Sequence, residues 1–128
     1  MARASGPSCE AQHHAWLCRR SPPELPVLLV QVAQKLQLQC LVEVHTIAEL
    51  ERILKLGVLQ ENCMLGINNR DLQTFKVDLN NNKVIMESQA GQKAVQQGLI
   101  FAGESGIYTP EDVQFVKVTY QIRQDEAV

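Results

Sequence analysis

Glu43, Asn68, Arg70, Glu104 and Ser105 are the residues of this chain whose types and placement fit chemistry on a small polar molecule. Each stands in, or just past, a short apolar run. Glu43 lies within Cys40-Leu-Val-Glu-Val-His45, Asn68 and Arg70 follow Met64-Leu-Gly-Ile, and Glu104 and Ser105 follow Leu99-Ile-Phe-Ala-Gly103. Two carboxylates can move protons or hold hydroxyls. Asn68 can hydrogen-bond a polyol or a carboxylate, and Arg70 can pair with an anion. Ser105 and Gly106 precede a helix start at Thr109-Pro-Glu-Asp112, where backbone N–H groups and the positive end of the dipole could receive a phosphate. A phosphorylated, hydroxylated small molecule is the guest this set fits. His45 suits a loop anchor as well as a proton carrier.

The elements that must position these residues are legible in the apolar spacing. Leu25, Leu28, Leu29, Val32 and Leu36 recur at helical intervals, and that helix ends near Leu38. Cys40–His45 reads as a strand. Thr46-Ile-Ala-Glu49 fits a capping box, and the helix it opens stops at Gly57, a natural left-handed terminus. Met64–Asn68 is the next strand, followed by a polar loop from Asn69 to Asp78. Helices over Leu79–Glu87 and up to about Gln97 lead to a third strand, Leu99–Gly103, and Thr109-Pro110 opens a further helix. This alternation predicts an α/β fold with a parallel sheet, and ligands of such folds lie beyond the carboxyl ends of the strands. Side chains alternate across a strand. Glu43 on one face therefore puts Val42 and Val44 on the other. Asn68 shares its face with Gly66, which leaves room, while Leu65 and Ile67 point away. Glu104 shares its face with Ala102, opposite Phe101.

Length and composition exclude other classes. At 128 residues the chain has the length of one domain, and 45% hydrophobic with 20% charged residues is ordinary globular composition. Twelve Lys+Arg against 14 Asp+Glu give a net charge of -2, so no cation excess exists to draw nucleic acid or an acidic membrane surface. No apolar run approaches the ~20 residues of a membrane span. Cys9, Cys18, Cys40 and Cys63 contain no C-x-x-C pair, and Cys40 and Cys63 read as buried free thiols. Cys9, His13, His14 and Cys18 could hold zinc, but structural zinc sites normally draw ligands from two separated knuckles, so no metal is assigned. Residues 1–24 lack any apolar period and read as an unrelated or poorly ordered leader. Arg3, Arg19 and Arg20 give it some transit-peptide character, against which stand sparse Ser and the intruding Glu10.

Three motifs together resemble one family. Leu41-Val-Glu-Val-His45, Leu65-Gly-Ile-Asn-Asn-Arg-Asp-Leu72 with Thr74-Phe75 and Val77-Asp78, and Gly103-Glu-Ser-Gly-Ile107 with Thr109-Pro110 closely resemble indole-3-glycerol-phosphate synthase in order and spacing. The longer connection between the second and third strands looks most like plant members. The resemblance spans residues 25–118 and leaves 119–128 as a divergent tail. It implies a partial (β/α)8 TIM barrel, about strands five to seven with flanking helices. It also implies a carboxy-lyase of tryptophan biosynthesis. That enzyme closes 1-(2-carboxyphenylamino)-1-deoxyribulose 5-phosphate into an indole with loss of carbon dioxide and water, and needs no cofactor.

By the same resemblance Glu43 matches the proposed general base, and Asn68 and Arg70 match substrate contacts, Arg70 toward the carboxylate end. Glu104 and Ser105 match the next strand's pair, and Gly106 the start of the phosphate loop. The family's general-acid lysine has no counterpart, since Lys35, Lys55, Lys76, Lys83, Lys93 and Lys117 fall outside any such motif. The first four strands and the eighth have none either. A truncated synthase is therefore expected to be inactive by itself. The alternative is a catalytically silent barrel fragment acting only through association with a partner. An isomerase of the same pathway fits these motifs less well. Self-association through exposed barrel edges is expected, and a chloroplast location for a plant protein, otherwise a cytoplasmic one.

Overall fold

The computed structural model describes residues 13–15, 22, 24–59 and 61–117, with only the backbone of 13–15. Cys9, Cys18 and the tail 119–128 lie outside the described residues, as does most of the expected leader. In chain order the elements are β1 (His13–Ala15), α1 (Glu24–Lys35), β2 (Cys40–Val44), α2 (Ile47–Leu56), β3 (Cys63–Asn68), α3 (Asn80–Glu87), α4 (Gln89–Gln96), β4 (Phe101–Glu104) and α5 (110–117). The strands form one parallel sheet in the order β1-β2-β3-β4. Strands and helices alternating in this way require crossover connections, and the helices supply them.

The alternation within each strand decides which side the helices cover. Val42, Val44, Leu65 and Ile67 are buried beneath the helices, joined by Leu50 and Ile53 of α2, Ile85 and Met86 of α3, and Ala94 of α4. Phe101 packs against the same cluster. Cys40 and Cys63 are register partners on adjacent strands, both buried free thiols as expected, and the Cys40 thiol is pushed up by burial and by its neighbour Cys63. The other face of the sheet carries Glu43, Gly66, Asn68, Ala102 and Glu104.

Local chemistry sets the helix ends. The Thr46 hydroxyl accepts from the Glu49 N–H at 3.2 Å while the Glu49 carboxylate accepts from the His45 and Thr46 N–H groups at 2.7 and 3.3 Å. Gly57 ends α2 at φ 65°, as the sequence predicts. At α5 the Asp112 carboxylate accepts from the N–H groups of Tyr108 and Thr109, and the Thr109 hydroxyl accepts from Asp112 N–H.

At three places the structure differs from, or goes beyond, what the sequence predicts. The helical repeat of Leu25, Leu28, Leu29, Val32 and Leu36 does not face the core: all are exposed, and Pro26, Val30 and Ala33 pack inward instead. The helix is apolar on both sides, so periodicity alone could not choose the buried one. The third predicted strand begins two residues later, at Phe101, because the N–H of Leu99 is still bonded to the Ala94 carbonyl; the first bond to β3 is made by the Ile100 carbonyl, which accepts from Leu65 N–H. β1 pairs with Cys40–Val42 of β2, although three residues are too few to show a strand period.

Candidate functional site

The site forms where β2, β3 and β4 end. Register places Glu43 beside Gly66, and Asn68 beside Glu104, so the polar tips of three adjacent strands share one face. Asn68 is the hub. Its side-chain oxygen accepts from Arg70 N–H at 2.9 Å and from the Ser105 hydroxyl at 2.8 Å, and its amide donates to Glu43 Oε2 at 3.4 Å. Two donors on the oxygen fix which way the amide points. The Asn68 carbonyl takes the His45 ring Nδ1–H at 2.7 Å and the Asn81 amide at 3.2 Å. A carbonyl only accepts, so the imidazole proton sits on Nδ1, leaving Nε2 4.0 Å from the Asp71 carboxylate.

The two glutamates are electrostatically linked. Glu104 is pushed up to about 7 by burial first and then by hydrogen bonding to, and the negative charge of, Glu43. Its Oε1 is buried and has no hydrogen-bond donor while both carboxyls are ionised. A proton shared with Glu43 supplies that missing donor, adding to the burial that chiefly favours the acid form. An acid that titrates near 7 can both give and take a proton at neutral pH. Gly66 makes the approach geometrically available, since a Cβ there would overlap Glu104 Oε1 and stand 3.3 Å from Glu43 Cγ.

Arg70 is half-buried just past β3, its backbone bridged to Val77, and its Nε is buried with no acceptor. A cationic donor held in that state fits an incoming anion. Ser105 adopts φ 67°, unusual for a residue with a side chain, and its carbonyl is held by the Asn69 amide at 3.1 Å. Gly106 follows at φ 77°, close against Val77, where a Cβ would collide with the valine methyl. The loop after β4 is thereby fastened to the loop after β3. A cavity of about 300 Å³ between α2 and α4, lined by Glu51, Leu54, Lys55 and Lys93 among others, belongs to the outer helix layer.

Sequence reasoning left out the residues that hold these side chains. Asn69 and Asn82 are buried and bonded to each other, and Asn81 clamps the carbonyls of His45 and Asn68. The run Asn80-Asn81-Asn82 was the available signal, because three asparagines in the first turn of a helix sacrifice propensity. The chain's lysines lie on helices or, for Lys76, in the loop after β3; among the described residues none ends a strand.

Parallel strands each followed by helix, with polar groups gathered at the strands' carboxyl ends, are the construction of α/β-barrel enzymes. A family model described as indole-3-glycerol phosphate synthase matches residues 22–122. The chain is 39% identical over 89 residues to the chloroplastic indole-3-glycerol phosphate synthase of Arabidopsis thaliana, covering 70% of this chain and 21% of that protein. It is 38% identical over 88 residues to the synthase of Microcystis aeruginosa (69% and 28%), and 44% identical over 87 residues to that of Acinetobacter baylyi (68% and 29%). The chain belongs to the indole-3-glycerol phosphate synthase family and spans less than a third of the length of these curated relatives.

Proposed function

We propose that this chain carries part of a synthase active site that binds 1-(2-carboxyphenylamino)-1-deoxyribulose 5-phosphate and helps convert it to indole-3-glycerol phosphate, carbon dioxide and water. The observation that carries this reading is the Asn68 hub, which ties Glu43, Arg70 and Ser105 into one hydrogen-bonded set at the strand ends. Ring closure needs the ribulose carbonyl protonated, and the later dehydration needs a base. Glu43 takes the base role, and Glu104, with its proton held near neutral pH, exchanges protons with it. Arg70 offers its unpartnered Nε to the substrate carboxylate, and Asn68 orients a hydroxyl. Ser105 and Gly106 lead into α5 and receive the phosphate.

No lysine ends a strand among the described residues, so the carboxy-lyase activity of the family requires an acid that this site does not supply in that form. The alternative role, a silent barrel piece working through a partner, rests on the same fact. The name of the Arabidopsis relative supports a plastid location; no helix among the described residues is long and apolar enough to cross a membrane.

The test is a graft. Residues 22–122 replace the matching segment of the Microcystis synthase, and the purified chimera is assayed for formation of the fluorescent indole product. The expected result is turnover that falls at least 100-fold on Glu43→Gln, while the 128-residue chain alone gives none. A folded chimera without turnover, or one indifferent to Glu43→Gln, would overturn the proposal.

A further inference from the structure

We propose that Gly66 is the positioning residue of the carboxyl pair: having no side chain, it seats the Glu104 carboxyl on the floor of the sheet beside Glu43. Gly66 lies in the middle of β3 with Glu43 as its register partner on β2 and Ala102 on β4. Glu104 stands two residues beyond Ala102 on the same face, and its side chain folds back over β3. A Cβ on Gly66 would occupy the place of Glu104 Oε1 and would press on Glu43 Cγ at 3.3 Å. Both acidic side chains thus converge on the space above one glycine.

Backbone freedom is not the reason for glycine at this position. Gly66 is absent from the residues with positive φ, so its backbone conformation is open to any amino acid. In a strand, glycine costs conformational entropy and contributes no packing, so alanine would be the better residue on local grounds. The space alone accounts for it. Around the pair, β2 presents the Glu43 charge, β3 presents neutral Asn68 with Arg70 beyond its end, and β4 presents Glu104 followed by neutral Ser105. Burial and Glu43 act in the same direction on Glu104, and no cation is among the influences that set its proton affinity. The buried, donorless Oε1 is the atom that the glycine accommodates.

This inference concerns the site proposed above, but its test reads folding and titration, so it fails or stands apart from the synthase reading. Thermal unfolding is measured for the 128-residue chain and for Gly66→Ala, Glu104→Ala and the double variant. Gly66→Ala is expected to lower the melting midpoint or abolish folding in the parent, and to be tolerated once Glu104→Ala has emptied the space. An equal loss in both backgrounds, or a double variant that does not fold although Glu104→Ala does, overturns the proposal. Carbon-13 carboxyl titration supplies the second readout. Glu104 is expected to titrate near 7 in the parent and to move toward 4.5 in Glu43→Gln. A Glu104 midpoint unaffected by Glu43→Gln would show that the carboxyls are not seated together, and would overturn it equally.

Discussion

The side-chain amide of Asn82, fully buried in the first turn of α3, donates to the side-chain oxygen of Asn69, itself buried just past β3. Asn69 in turn gives its amide to the Ser105 carbonyl and its backbone carbonyl to Asp78 N–H. A helix packed on the sheet is thereby fixed to the loops beyond β3 and β4 that carry Arg70 and Ser105. At the buried centre of the network Asn69 and Asn82 have no solvent to fall back on, so the two act together.

Replacing Asn82 by Leu should therefore cost more than a surface change. The leucine is similar in size, yet it leaves the Asn69 oxygen buried without its donor, a loss of about 1 to 3 kcal/mol. Urea unfolding of the variant is expected to show a lower midpoint with an unchanged slope. A loss below about 0.5 kcal/mol would mean that Asn69 finds another donor and that the link to α3 is dispensable.

Glu104 makes stability depend on pH in a stated direction. Its pKa is about 7 in the folded chain against 4.5 unperturbed, so folding tightens its hold on the proton. Below pH 4.5 both states are protonated and Glu104 imposes no penalty. Between 4.5 and 7 the unfolded chain releases the proton and the folded chain keeps it, so stability falls as pH rises and levels off above 7. The carboxyl is partly solvated, which limits the fall to about 1 to 2 kcal/mol. Unfolding of the parent and of Glu104→Gln at pH 4.5 and 8 should show that the difference between them grows with pH; a constant difference would refute the linkage.

The capping box at α2 gives a local check. Thr46→Ala removes the acceptor for Glu49 N–H and should cost about 1 kcal/mol, whereas Thr46→Ser keeps the hydroxyl and should cost a few tenths. Equal losses for the two substitutions would show that the threonine methyl, and not the cap, carries the effect.

What the sequence made legible and what it hid have a common physical cause. Glu43, Asn68 and Glu104 sit at strand ends flanked by apolar residues of period two, so their shared face follows from alternation alone, as does the burial of Val42, Val44, Leu65 and Ile67. The cap at Thr46 and the stop at Gly57 depend on neighbours in sequence and were equally readable. Asn69, Asn81 and Asn82 act across 13 to 36 positions of chain, and although the run of three asparagines opening α3 is a local signal, nothing local names their partners. The pairing of Glu104 with Glu43 needed the register of three strands and the empty place above Gly66. Which side of α1 is buried was not legible in its spacing for the same reason, since only tertiary contact tells one apolar side from another.

That second apolar side of α1 carries the last prediction. Leu28, Val32 and Leu36 follow one another at intervals of four and are 55%, 45% and 62% exposed, with Leu25 and Leu29 beside them at 37% each. Among the described residues nothing covers this stripe, while Pro26, Val30 and Ala33 already supply the contact with the core. Residues four apart on a helix form a continuous ridge, the shape that packs against a like ridge on another copy. The purified 128-residue chain is therefore expected to self-associate at micromolar concentration in sedimentation experiments. Leu28→Lys with Leu36→Lys places two charges on the ridge without touching the buried side, and should weaken association at least tenfold with helical content retained. A monodisperse parent monomer, or an assembly indifferent to both lysines, would assign this face no role in association.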